Sequence, residues 1–266
     1  MKFFVFDFSL SFLMKKILIL RFSSIGDIIL TTPVIRCLKK QGENFEVHYC
    51  TKKNYQGLLL QNPYVDKVHV LEESLNDLVA TLRSEKFDYI IDLHTSLRSL
   101  IIKKKLGVKA YSFDKLNFKK YLFVNFKINK LPNVHIVDRY MDTLKPLGIK
   151  NDNEGLDYFY PDKDEVEHDW LPVTHQNGYS AFAIGGQHAT KKLPINKLIE
   201  LCAKINGPVV LLGGKEDEKD ALALESFFDA TNVTKLNEIF LVDELNQKVK
   251  IFNGVGKFNL NQSASL

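Results

Sequence analysis

The sequence is poor in cysteine and holds a single tryptophan in 266 residues. Its three cysteines, Cys37, Cys50 and Cys202, are odd in number, widely spaced and form no CxxC pair. A disulfide framework is therefore excluded, and a reducing, cytosolic setting is the natural reading. No apolar run approaches the about 20 residues that a bilayer-crossing helix needs. No GxGxxG and no Walker loop occurs, which argues against dinucleotide and P-loop binding. HExxH and acidic clusters of ligand spacing are also missing, and His94 and His135 lie too far apart in sequence to suggest a metal pair. No catalytic metal and no cofactor are expected. Charge of one sign is lacking too: 36 Lys and Arg face 32 Asp and Glu, a net +4. That excess is too small to indicate nucleic acid, but it suits an anionic substrate or an acidic membrane surface.

What is present is a globular composition, 45% hydrophobic and 26% charged, in a chain long enough for one large or two ordinary domains. Short apolar runs alternate with helical patterns. Strands are expected at 17–20, 45–50, 67–71 and 89–93. Helices are expected at 27–40, with Pro33 in the early turns or at a kink, and at 75–84, 97–106 and 137–147. Gly107 and Gly148 stand where helices end. Such alternation indicates a parallel sheet covered on both faces. Residues 110–135 are less regular and rich in Phe, Lys and Asn. Residues 150–178 are rich in Asp, Asn and Pro and read as an interdomain connection, with a strand at 156–160. The alternation then restarts with strands at 179–184, 208–212 and 249–253 and helices at 195–205 and 216–228. The domains are accordingly drawn at 14–172 and 173–266. The Phe-rich residues 1–13 read as an upstream extension, with Met14 the natural start.

Four strand-to-helix turns carry chemistry. After 17–20 comes Ser23-Ser24-Ile25-Gly26-Asp27. Ligands of doubly wound sheets bind outside the carboxyl ends of strands. Gly26 permits close backbone approach or a positive φ. Asp27 then either caps a helix, which Asp does well, or serves a reaction at the strand end. The second turn, GGQHATKKLP from Gly185 to Pro194, joins two glycines to Lys191 and Lys192. Its amides and ammonium groups suit a diphosphate, and a solvated charged turn is the plainer alternative. The third, LLGGKEDEKDA from Leu211 to Ala221, offers Gly213 and the carboxylates of Glu216 and Asp217 to a ribose, or simply an acidic first helical turn. The fourth, DLHTSLRS from Asp92 to Ser99, presents Arg98 either as a clamp for an acceptor carboxylate or as a surface arginine.

Taken together, KILILRFSSIGDIILTTPVIRCLKK, FDYIIDLHTSLRSLIIKKKLG, GGQHATKKLP and VVLLGGKEDEKDA resemble, in order, the motifs of glycosyltransferase family 9, the ADP-heptose:lipopolysaccharide heptosyltransferases. The resemblance covers nearly all of the chain from Met14. It implies an α/β GT-B fold, two Rossmann-like domains facing a cleft. It implies inverting, metal-independent transfer of heptose from an ADP-sugar donor to a lipid-linked, Kdo-type acceptor of the lipopolysaccharide inner core. The enzyme would be cytoplasmic. The basic, aromatic residues 115–130 read either as a solvated loop with some core aromatics or as a peripheral contact with anionic lipid at the inner membrane. Carried over residue by residue, Asp27 becomes the general base, with Ser24, Gly26 and Arg98 on the acceptor side. Lys191 binds the diphosphate with Lys192 beside it, Asp217 contacts the ribose, and Gly185 and Gly213 shape the donor turns.

The family's pattern continues with an Asp-Thr-Gly…His segment that this sequence does not contain. The second domain is therefore expected to be incomplete. The alternative function is a truncated, non-catalytic remnant that binds nucleotide weakly or not at all. An NAD-dependent oxidoreductase rests only on the α/β alternation, and the missing GxGxxG weighs against it.

Overall fold

Lys15–Leu20 forms β1, and the four residues Ile17 to Leu20 have no exposed surface because the strand lies at the centre of a sheet. The computed structural model describes residues 14–42, 44–186, 188–228 and 250–266; the expected extension at 1–13 lies outside them. The chain divides into two compact units that meet in sequence at Phe159 and Tyr160.

In the first unit β1 pairs in parallel with β2 (Phe45–Lys52) and with β4 (Tyr89–Asp92). The sheet is completed by β3 (Lys67–Leu71) and β5 (Lys109–Ser112), giving the all-parallel order β3-β2-β1-β4-β5. The order changes direction beside β1, so the loops after β1 and β4 border the switch point where such sheets bind ligands. One face buries Ile17, Ile19, Val47 and Ile91 with Val34, Ile35 and Leu38 of α2 (Thr32–Gln41). The other buries Leu18, Leu20 and Ile90 with Leu78 and Leu82 of α3 (Leu75–Ser84) and Ile102 of α4 (Leu97–Leu106). Each fully buried Leu or Ile contributes about 1.5–3 kcal/mol, so the apolar runs fix both the strands and the side each helix covers.

Several expectations are corrected. The helix at 27–40 is two helices, α1 (Ile25–Ile29) and α2, because Pro33 lacks an N–H and suits the first turn of a new helix. The helix at 137–147 is α6 (Ile136–Met141) followed by a 3₁₀ turn over Asp142–Leu147, since Pro146 cannot donate to an α-helical ladder. Residues 110–135, read as irregular, contain part of β5 and all of α5 (Asn117–Phe126). No strand forms at 156–160. Gly107 and Gly148 do adopt the left-handed conformation, with φ of 66° and 75°.

The stretch after Gly148 is held to the first unit. Arg36, 1% exposed, donates from Nε to Asp152 Oδ2 at 2.8 Å and from Nη2 to Asp152 Oδ1 at 2.7 Å. Its Nη1 pairs with Asp157. Residues 160–172 fall instead in the second unit, where Leu171 packs on Val210 and Leu212. In that unit β6 (Ser180–Ala183), β7 (Val209–Leu212) and β8 (Ile251–Asn253) form a parallel sheet in that order. Leu198 and Cys202 of α7 (Ile195–Lys204) and Leu224 and Phe228 of α8 (Glu218–Phe228) complete its core. A last helix, α9 (Leu260–Ser265), starts at Asn259, whose side chain accepts from Gln262 N–H at 2.9 Å.

Candidate active site

In the first unit the functional side chains gather at the carboxyl ends of β1 and β4. Arg21 follows β1 directly and is 7% exposed. A buried guanidinium must be hydrogen-bonded, and all three Arg21 nitrogens have partners. Nε donates to Ser23 O at 2.7 Å, and Nη1 to Leu93 O at 2.6 Å and to the Tyr140 hydroxyl at 3.2 Å. Nη2 reaches Asp27 Oδ2 at 2.8 Å.

Asp27 Oδ2 also accepts from the Ser24 hydroxyl at 2.8 Å and from the Ser24 N–H at 3.2 Å. The carboxylate therefore supports the start of α1 from its third position, whereas the cap itself is Ser24 and not Asp27. Only one oxygen is used: among the described residues Oδ1 takes no hydrogen bond, and the side chain is 40% exposed. Burial alone would push the Asp27 carboxyl up. The Ser24 hydroxyl and amide and the Arg21 charge outweigh it and hold the group below the usual aspartate range. Gly26 lies within α1 and does not adopt a positive φ, contrary to one expected use of that glycine. A Cβ there would meet nothing within 4 Å, so the space beside it is open to a ligand.

The loop after β4 supplies His94. Asp92, fully buried, accepts from His94 N–H at 3.0 Å and Thr95 N–H at 2.8 Å through Oδ1 and pairs with Lys103 at 2.7 Å through Oδ2. This carboxylate shapes the loop and is not available for chemistry. The His94 Nδ1 is buried and without a hydrogen-bond partner among the described residues. Burial, reinforced by the positive charges of Arg21 and Lys115, pushes the imidazole down to about 4, so it is neutral near pH 7. Lys115 is pushed down by burial and by Arg21, while Asp92 and Asp27 act in the opposite sense. Arg21, Asp27, His94, Lys115 and Tyr140 thus form one electrostatic cluster. Sequence reading named only Asp27 of these as a candidate. An arginine directly after a buried strand was the one available signal for the rest. Arg98, on the exposed side of α4, instead lines a groove along β3 and α3 with Lys53 and Ser74, whose lining does not include Asp27.

In the second unit three glycine turns follow β6, β7 and β8: Gly185-Gly186, Gly213-Gly214 and Gly254-Val255-Gly256. Asp217 is 2% exposed, accepts from Gly214 N–H at 3.0 Å through Oδ2 and pairs with Lys192 through Oδ1. A Cβ on Gly185 would sit 2.3 Å from Asp217 Oδ2, and one on Gly213 3.0 Å away. Neither glycine leaves room for a side chain beside this carboxylate, which ties the first glycine turn to the second. Asp217 is consequently enclosed, whereas Glu216 beside it is exposed. Lys191 is exposed and forms no ion pair among the described residues, leaving its ammonium available to an anion.

The profile of glycosyltransferase family 9 (heptosyltransferase) matches residues 76–266. Lipopolysaccharide heptosyltransferase 1 of Campylobacter coli is 25% identical over 213 residues, 71% of this chain and 60% of that protein. The chain thus spans about three fifths of that relative's length. A glycosyl transferase family 9 structure from Veillonella parvula superposes with a TM-score of 0.68 at 20% identity, covering 95% of this chain and 73% of that one. E. coli heptosyltransferase WaaC, solved with ADP, gives 0.56 at 20% identity, covering 80% and 73%. These likenesses identify the two parallel α/β units as GT-B in type, and with more than half of its length matched to the family, the chain belongs to glycosyltransferase family 9, the heptosyltransferases.

Proposed function

We propose that this chain carries the machinery of an inverting transfer of heptose from ADP-heptose to a Kdo-type sugar of the lipopolysaccharide inner core. The observation that supports it most is the half-committed carboxylate of Asp27. One oxygen is held by Arg21 and Ser24, and the other is open to an incoming hydroxyl.

In this reading the acceptor hydroxyl oxygen attacks the anomeric carbon of the donor. A new C–O bond forms as the bond from that carbon to the diphosphate oxygen breaks, and ADP leaves with the electron pair. The hydroxyl proton passes to Asp27 Oδ1. A carboxylate held below its usual range is a weak base, so the proton moves late, once bond formation has made the hydroxyl acidic. Arg21 orients the base and keeps it ionised. Neutral His94 is suited to a hydrogen bond with an acceptor hydroxyl. Lys191 neutralises the departing diphosphate, with Lys192 held beside it by Asp217. The ribose contact expected of Asp217 suits the exposed Glu216 better, with Asp217 positioning Lys192 and the glycine turns.

Acceptors of this class sit in a membrane, and α5 is suited to one. The helix has no buried residue, and Phe118, Tyr121 and Phe126 are all exposed. Five lysines, at 115, 119, 120, 127 and 130, lie in a stretch without a carboxylate between Asp114 and Asp138. Aromatic and basic side chains together favour an anionic lipid surface. The enzyme would then work at the cytoplasmic face of the inner membrane.

The test is a transfer assay with ADP-heptose and a Kdo-terminated acceptor. Product with inverted anomeric configuration, lost in Asp27→Asn, is expected. Turnover unaffected by that substitution would remove the base assignment.

A further inference from the structure

Three side chains that the reaction does not use converge toward the amino-terminal end of the first sheet. His48 of β2 is fully buried and His69 of β3 is 4% exposed. His48 Nδ1 stands 2.9 Å from His69 Nε2. Glu85, which caps the end of α3, brings a carboxylate oxygen in, and the three possible ligand atoms all lie within 4.8 Å of one another. Phe87 covers both imidazoles edge-on, at centroid distances of 5.1 and 6.0 Å.

We propose that His48 Nδ1, His69 Nε2 and the Glu85 carboxylate form a binding site for one transition-metal dication of the zinc type, which fastens β2, β3 and α3 together. Two imidazoles and a carboxylate suit zinc or cobalt(II) better than calcium or magnesium. The tautomer of His48 is already the one a ligand needs. Its Nε2 lies 2.6 Å from Glu46 Oε1 and donates its proton there, leaving a lone pair on Nδ1. A carboxylate behind a ligating histidine is the usual outer support of such sites. Burial, and then His48, pushes His69 down to about 4, so the His69 ring is neutral at pH 7. Without metal, His69 Nε2–H donates to His48 Nδ1. On binding, the single His69 proton shifts to its Nδ1 and Nε2 turns its lone pair to the ion. Tetrahedral bonds of about 2.0–2.1 Å place two nitrogens about 3.3 Å apart. The imidazoles therefore need to separate by a few tenths of an ångström and to tilt until both lone pairs converge on the ion.

Lys16 and Lys67 hold Glu85 in the metal-free arrangement. Their pairing keeps that carboxyl ionised, at about 2, with Lys67 the larger influence. Both ammonium groups reach solvent, 30% and 53% exposed at the side chain, so a dication can replace them without burying either. The ion has a route: His69 and Lys67 line the groove of about 1100 Å³ along β3. Sequence spacing conceals the set, because its members lie 21 and 16 residues apart on three different elements.

Cobalt(II) titration of the chelator-treated full chain tests the proposal. One equivalent is expected to give the visible ligand-field bands of four-coordinate cobalt without thiolate charge-transfer absorption. Zinc is expected to raise the thermal midpoint. His69→Gln should remove the bands and the zinc-dependent shift and weaken affinity at least tenfold. Bands absent from the parent protein, or retained in His69→Gln, would overturn the proposal. Should His69→Gln not fold, Glu46→Gln gives a second reading. Freeing the His48 tautomer is expected to weaken cobalt binding about tenfold or more, and an unchanged affinity would count equally against the site.

Discussion

Arg21 Nη2 and Asp27 Oδ2 are 2.8 Å apart, and this pair separates the two roles a carboxylate can play at a helix start. Capping uses the oxygen shared with Ser24; in the proposed reaction the proton goes to the other. The roles are compatible because Arg21 and Ser24 both hold Oδ2, while Oδ1 takes no hydrogen bond among the described residues. Asp27→Asn is therefore expected to lower kcat by about 10²–10⁴-fold while the amide oxygen still supports the start of α1. A thermal midpoint close to that of the parent, measured beside the rate, distinguishes lost chemistry from lost structure.

In the proposed reaction the same pair would set the acid limb of the rate profile. The Asp27 carboxyl is held below its usual range, so the base is charged throughout the neutral region. Activity should fall only as pH drops through that lowered value. Arg21→Gln removes the guanidinium, leaves burial less opposed, and should move the acid limb of kcat/KM to higher pH. The variant also strands the Leu93 carbonyl that Arg21 Nη1 reaches at 2.6 Å. A buried acceptor left alone costs about 1–3 kcal/mol, readable by denaturant titration. An acid limb that stays in place would mean that Arg21 does not tune the base.

Much of this architecture is legible in the sequence because parallel strands buried on both faces are continuous apolar runs. ILIL at 17–20 and VVLL at 209–212 are legible on sight, and each fixes where a candidate turn begins. β5 could not: KAYS at the sheet edge is half polar. α5 was also missed, since its apolar residues spread around the helix instead of forming one stripe. Among the candidate residues, Asp27 in the first unit and Lys191 and Gly185 in the second stand in recognisable turns. Arg21, His94 and Tyr140 meet only through β1–β4 pairing and the return of α6, contacts that span up to 119 residues. The Asp-rich run after Gly148 looked like a linker because composition does not show that Arg36 would anchor it.

That anchor gives a stability prediction. Arg36 is 1% exposed and has Asp152 as its bidentate partner. The Arg36 hydrogen bonds are the largest influence on the Asp152 carboxyl and hold it well below its usual value. A depressed carboxyl stabilises the fold above its unfolded value, near pH 4. That stability is lost as pH falls through the folded value. Asp152→Asn leaves a buried guanidinium with only part of its counter-charge. It should cost toward the lower end of about 3–5 kcal/mol at pH 7. The loss should shrink on acidification. Urea unfolding at pH 7 and pH 3 checks both the size and the sign, and a pH-independent difference would contradict the ion-pair account.

The basic aromatic helix α5 predicts lipid binding that depends on charge. Each lysine near an anionic bilayer contributes about 1 kcal/mol, so Lys119→Gln with Lys120→Gln should weaken partitioning roughly 30-fold. Flotation with vesicles containing phosphatidylglycerol measures it, and raised salt should weaken the parent in the same sense. Binding that is unchanged in the double variant, or equal on neutral vesicles, would dismiss the membrane role of this helix.

Gly185 and Asp217 lead to the most specific expectation in the second unit. A methyl group at 185 would stand 2.3 Å from a carboxylate oxygen that Gly214 N–H holds in place and Lys192 balances. Either the carboxylate moves, releasing Lys192, or the turn after β6 shifts. Overpacking of this kind costs about 1–3 kcal/mol. Gly185→Ala should accordingly lower both the thermal midpoint and the affinity for ADP measured by calorimetry. Gly186→Ala, whose Cβ would stand 3.3 Å from Lys191 Cβ, should be milder. Because the clash needs the Asp217 side chain, the two substitutions should not add. Gly185→Ala made in an Asp217→Ala background should cost little more than Asp217→Ala alone. Full additivity in that cycle would show that the glycine is needed for something other than making room for this carboxylate.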